Sequence, residues 1–127
     1  MQFSKNVPIY RQIADSIKEN ILKGSWKERD RIPSVRELAV SFEVNPNTAM
    51  RSYEMLQNQS IIMNKRGIGY FVAEGAYETV LAYKREEFRH EVVPEFFRQM
   101  ELLKISFEEL QQMLKTQQEN NNNHEEK

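Results

Sequence analysis

Cysteine is absent from the 127 residues and histidine occurs twice. The first absence removes disulfides, thiolate nucleophiles and cysteine-based zinc sites, and two isolated histidines leave little for metal chemistry. No apolar run approaches the ~20 residues needed to cross a bilayer, and the opening MQFSKNVP has no hydrophobic leader segment. A cytoplasmic protein without membrane contact is expected. No nucleophile–base pair, phosphate-cradling loop or metal-ligand spacing is in sight, so the sequence implies no enzyme, no catalytic residue, no metal and no cofactor. Net charge is also nearly absent, at −1. Uniformly spread, that value would argue against a nucleic-acid partner. It is not uniform: residues 1–75 hold 11 Lys and Arg against 8 Asp and Glu (+3), and residues 76–127 hold 7 against 11 (−4). A mildly basic first part joined to an acidic second part permits a DNA-binding module with an appended element.

What the chain does have is clear helix punctuation. In the stretch 32–56, IPSVRELAVSFEVNPNTAMRSYEML, Ser34 and Glu37 form the S-x-x-E capping box that starts one helix. Asn45 followed by Pro46 starts a second, with Asn as cap and Pro at the first helical position. Two short helices meeting across Glu43 and Val44 make a helix-turn-helix. Upstream, Ile9, Ile13, Ile17 and Ile21 recur every fourth residue between Pro8 and Gly24, the stripe of an amphipathic helix with a buried face. Trp26 reads as a packing plug over that bundle, because single-strand binders use several aromatics rather than one. Arg31 and Ile32 stand before Pro33, which biases them to extended geometry and to a very short strand.

The second helix of the pair turns Ala49, Tyr53 and Leu56 inward and leaves Asn45, Asn47, Thr48 and Arg51 elsewhere. Asn pairs with adenine, Thr contacts phosphate or a thymine methyl, and Arg grips phosphate or guanine. A polar first turn that merely caps has the same composition, so these residues alone do not decide the matter. Next, IIMNKRGIGYFV reads as a β-hairpin, strands 61–64 and 69–72, with Lys65, Arg66 and Gly67 in the connecting loop. A helix-turn-helix followed by a basic hairpin is a winged helix, its tip placed for backbone phosphates or the minor groove.

The residues from Pro8 to Val72 resemble the N-terminal domain of the GntR superfamily of bacterial transcriptional regulators. The carrying motifs are Pro8-Ile9-Tyr10, Gly24 with Trp26, the run from Ile32 to Ala39 that follows the family's L-P-S-x-R-x-L-A, Val44-Asn45-Pro46-Asn47-Thr48, and Arg66-Gly67-Ile68-Gly69-Tyr70-Phe71-Val72. The resemblance implies DNA contacts at Arg36, Asn45, Asn47, Thr48, Arg51, Arg66 and Gly67, beside Lys65 in the wing. Many relatives carry a guanine-reading arginine where Pro46 stands, so base reading is expected to move to Arg36, Asn45 and Asn47.

Beyond residue 75, Val80, Leu81, Phe88, Val92, Phe96, Met100 and Leu103 recur at helical spacing, and Pro94 is expected to kink or divide the helix. Ser106 and Glu109 form another capping box, before Phe107, Leu110 and Leu114 on one face. Two such helices cannot bury their stripes alone, which points to a homodimer. These ten apolar residues are its expected contacts. The arrangement is similar to the short YtrA-type branch of the superfamily, which is often associated with operons for ABC-type transporters. The expected architecture is mainly α with a small β-hairpin: a winged helix-turn-helix over 1–75, a two-helix dimerisation element over 76–116, and a disordered, low-complexity tail over 117–127. His90 among Glu87, Glu91 and Glu95 reads as a solvated helix face rather than a metal site.

The function implied is a dimeric repressor of its own operon that grips a two-fold site on double-stranded DNA. A small-molecule effector of unknown identity would act through the 76–115 helices. A winged helix that docks a protein instead of DNA is the alternative.

Overall fold

A computed structural model describes residues 6–125 of the chain. Two compact units divide it, the first reaching Arg85 and the second starting at Glu86.

The first unit is built on three helices and a hairpin. Helix α1, Ile9–Leu22, buries Ile13, Ala14, Ile17 and Ile21. Ile9, the first of the isoleucine stripe, lies in the opening turn and is exposed. Helix α2, Val35–Phe42, opens on the expected capping box: Glu37 N–H donates to Ser34 Oγ at 3.1 Å, and Ser34 N–H donates to Glu37 Oε1 at 3.1 Å. It ends at Glu43, whose φ of 55° is left-handed and turns the chain towards helix α3, Pro46–Asn58. Helix α3 is the centre of the unit, packed against α1, α2 and the first strand of the hairpin. Its inward face is Ala49, Ser52, Tyr53 and Leu56. The Tyr53 hydroxyl donates to the Pro33 carbonyl, and buried Ser52 Oγ donates to the Tyr10 carbonyl at 2.8 Å.

The strands are β1, Ile62–Lys65, and β2, Gly69–Val72, antiparallel with Lys65 opposite Gly69 and Ile62 opposite Val72. The expected short strand exists as a single bridge, Arg31 to Phe71. Ile32 N–H donates to the Tyr70 carbonyl at 3.0 Å and Val72 N–H to the Asp30 carbonyl at 2.9 Å, so residues 30–32 cover the free edge of β2. Trp26 packs against the core, as expected of a lone aromatic.

Two boundaries differ from the sequence reading. Helix α4, Ala76–Glu87, contributes Ala76 and Val80 to the core of the first unit, both with no exposed surface. Lys84 Nζ pairs with Asp15 Oδ1 of α1 at 3.2 Å, and Lys18 Nζ lies 5.3 Å from the centroid of the Tyr83 ring. The winged-helix unit therefore continues past residue 75, and Val80 is spent inside one chain rather than on a dimer contact; Leu81 is half-buried. Periodicity marks a residue as apolar-facing but does not say which core it enters.

In the second unit a π turn, Phe88–Val92, precedes helix α5, Val93–Leu103, with Pro94 in its first turn. Proline has no N–H to give to the preceding turn, and a widened turn just before it is one way a helix accommodates that loss. Lys104, with φ 56°, ends α5, and Ser106 Oγ accepts from Glu109 N–H at 3.1 Å to start helix α6, Phe107–Glu125. This helix carries the backbone of 117–125, expected to be disordered, in regular form. The segment has no Gly or Pro to stop a helix already begun, and Gln and Glu are good helix formers. Residues 126 and 127 of that tail lie outside the described residues.

Candidate nucleic-acid interface

The first turn of α3 is shaped by its cap. Asn45 Oδ1 accepts from Asn47 N–H at 2.8 Å, and the Asn45 carbonyl accepts from Thr48 N–H at 2.9 Å. The cap uses one of the two lone pairs on the Asn45 side-chain oxygen and ties the amide to the helix start, while its NH₂ stays available as a donor. Asn47 is exposed, and its backbone N–H rather than its side chain serves the cap. Thr48, Arg51 and Asn47 follow at the three- and four-residue spacings that share a helix face. Thr48 is half-buried and its carbonyl accepts from Ser52 Oγ at 3.2 Å. Arg51 is exposed, with its guanidinium carbon 4.4 Å from the centroid of the Tyr10 ring.

Arg36 is exposed in the first turn of α2 and lines a shallow groove with Ala39, Val40, Glu43, Val44 and Pro46. Its neighbour Glu37 has a carboxyl held below the ordinary carboxylate value, first by the Ser34 backbone N–H, then by the Ser34 hydroxyl, with a smaller contribution from the charge of Arg31. The capping box thus keeps an anion beside the basic surface, committed to the helix start.

At the wing, Arg66, Gly67 and Ile68 form the tip. Ile68 N–H closes the turn on the Lys65 carbonyl at 2.9 Å, and Gly67 has φ 79°, as the third residue of such a turn requires. Lys65 is not in the loop, where the sequence reading has it, but ends β1, one residue beyond the expected strand. Pairing Lys65 with Gly69 puts Phe71 diagonally across from it, and Lys65 Nζ sits 4.5 Å from the centroid of the Phe71 ring. That ring contact follows from the register, which the sequence leaves one residue uncertain. Gly69 has φ 145°, and a Cβ there would stand 3.2 Å from Arg31 Nε. The positive φ and this close approach favour glycine where the arginine crosses the strand.

Helix α3 and the wing are fixed to each other. The Tyr53 ring meets Tyr70 of β2 edge-on, centroids 4.7 Å apart at 67°. Burial is the main reason that the Tyr53 hydroxyl titrates well above its ordinary value, so it stays a donor at physiological pH. Of the sequence-assigned DNA residues, Asn45, Asn47, Thr48 and Arg51 fall on one helix end and Lys65, Arg66 and Gly67 on one hairpin, with Arg36 on α2. His90 instead pairs with Glu86, four residues earlier in the chain, and no cluster able to hold a metal ion occurs among the described residues. Nor is any helix among them long and apolar enough to cross a membrane.

A capped helix pair with a basic hairpin locked to its second helix is the winged helix-turn-helix of transcription regulators. Residues 9–72 match the bacterial regulatory proteins of the gntR family, and the chain belongs to that family. It is 36% identical over 115 residues to YhcF of Bacillus subtilis, an uncharacterised HTH-type transcriptional regulator, covering 91% of this chain and 93% of that one. It is 36% identical over 104 residues to the HTH-type transcriptional repressor YtrA of the same organism, covering 79% and 80% of the two chains. The crystal structure of a regulator assigned to the GntR family from Bacteroides thetaiotaomicron superposes with a TM-score of 0.74 at 50% identity, over 89% of this chain and 98% of that one. The YtrA-like branch of the family is the one the chain resembles along most of its length.

Proposed function

We propose that the chain is a homodimeric, sequence-specific DNA-binding regulator of the cytoplasm that represses its own operon by occupying a two-fold operator. The observation that carries this reading is the rigid joint between α3 and the wing, Tyr53 against Tyr70, beside exposed Asn47, Arg51 and Arg66. A fixed joint lets base-edge readers and phosphate grips engage one duplex together without ordering loops at the moment of binding. The name of the relative YtrA, a transcriptional repressor, supports repression. Resemblance to the YtrA-type branch supports an ABC-type transporter operon as the target.

The second unit supports the dimer. Among its described residues none is buried, and Phe88, Phe96, Leu103, Phe107 and Leu114 are between 41% and 64% exposed. An apolar surface of that kind needs a cover, and a second copy supplies an identical face while bringing a second reading head to the other half-site. Val92, Met100 and Leu110 belong to the same proposed contact.

The test is binding of the protein to the DNA upstream of its own gene, followed by fluorescence anisotropy. Replacing Arg36, Arg51 and Arg66 together by alanine is expected to abolish binding. Arg66→Ala alone lowers the salt slope by about one per half-site, and Asn47→Ala relaxes base preference. Full affinity in the triple variant would refute DNA recognition by this surface and favour a protein-docking winged helix.

A further inference from the structure

Arg51 lies one turn beyond Asn47 on α3, and a long exposed side chain there loses rotamer freedom when it grips a phosphate. The structure offers a partner that limits this loss. The half-buried Tyr10 ring lies 4.4 Å from the Arg51 guanidinium carbon. Tyr10 is itself held from α3: its carbonyl accepts from Ser52 Oγ at 2.8 Å, and Ser52, the residue next to Arg51, is fully buried. The ring and the cation are thus keyed to the same stretch of one helix.

The kind of partner matters. Arg29 meets a carboxylate, Glu74 Oε1 at 2.9 Å, which neutralises its charge and occupies an N–H donor. A ring restrains a guanidinium while leaving its charge intact and its hydrogen-bond donors available for a phosphate. The first arrangement stores a cation and the second presents it.

We infer that Tyr10 is a positioning residue for DNA binding, its ring holding the Arg51 guanidinium in place for a backbone phosphate. This rests on the DNA-binding reading above and places a determinant of affinity on α1, outside the helix-turn-helix and the wing.

The probe is a fluorescent duplex that the wild-type full chain enriches from a randomised pool. An exposed cation–ring contact corresponds to about 2–5-fold in affinity per half-site, hence about 4–25-fold for a dimer on two. Tyr10→Leu is expected to weaken binding by that factor, while Tyr10→Phe, which keeps the ring, stays within about twofold of wild type. In an Arg51→Ala background Tyr10→Leu adds no further loss. Tyr10→Met serves as the second ring-free variant if the leucine protein melts below the assay temperature. Wild-type affinity in the ring-free variants overturns the inference, as does a loss that persists undiminished without Arg51, or a phenylalanine variant as weak as leucine. Those outcomes leave DNA binding standing. A wild-type chain that enriches no duplex overturns the DNA reading itself and the inference with it.

Discussion

Replacing Tyr53 by Phe removes one hydroxyl from the middle of the reading head and little else. The ring is fully buried, and its hydroxyl ties the centre of α3 to the Pro33 carbonyl just before α2. Phenylalanine keeps the ring and its edge-on contact with Tyr70 at 4.7 Å, so no sizeable cavity opens. The cost is one hydrogen bond and a carbonyl left short of a partner, about 1–2 kcal/mol. In a domain of this size each kcal/mol lowers the melting midpoint by about 4–8 °C. Circular dichroism melts at matched protein concentration read this directly, because a dimer's midpoint depends on concentration. The hydroxyl also fixes a pH dependence. Its folded pKa is raised, mainly by burial, above the unfolded value of about 10. The neutral form is therefore favoured by folding. That contribution is complete below about pH 10 and is lost as pH rises from there through the folded value. The wild type should lose its advantage over the Phe variant above about pH 10, where unfolded tyrosine ionises. Equal midpoints at neutral pH would refute the claim that this hydroxyl braces the helix-turn-helix.

Three further outcomes follow from the geometry. A fragment of residues 1–75, lacking buried Ala76 and Val80, should be less stable to urea than a fragment of 1–87 by at least about 2 kcal/mol; equal stability would return α4 to the second unit. Gly69→Ala meets both an unfavourable φ of 145° and Arg31 Nε at 3.2 Å, and should destabilise the first unit by about 1–3 kcal/mol. The Glu95 carboxyl is held down at about 2, first by hydrogen bonds from the Arg98 guanidinium and then from Gln99. Because its folded value is depressed, its contribution to α5 is present above the unfolded carboxylate value and disappears as pH falls towards about 2. In Arg98→Ala an NMR titration should find Glu95 raised part of the way towards the ordinary value of about 4.3, with the Gln99 hydrogen bond still lowering it, and an unmoved titration would contradict the pairing.

Local rules made much of this fold legible. The Ser34–Glu37 box and the Asn45-Pro46 cap are covalently local, so the sequence locates both helix starts. Strand β2 has the expected bounds, and β1 runs one residue late because Ile61 N–H is taken by the Leu56 carbonyl in the turn leaving α3. Long-range pairings were not legible. Nothing in AYETVLAY says that Val80 enters the first unit's core, and nothing in IYRQI says that Tyr10 meets Arg51 from 41 positions away in the chain. The Asn45 cap shows the limit within the site. The residue type suits base reading and capping alike, and only the folded chain shows its side-chain oxygen engaged by the Asn47 N–H.

Selection from a randomised duplex pool, followed by measurement of the number of chains on the enriched site, bears most directly on the central claim. A two-fold dimer predicts a palindromic site with half-sites about 10 bp apart, or a multiple of one helical turn, occupied by two chains. Enrichment of an asymmetric site bound by a single chain, or no enrichment at all, would contradict it.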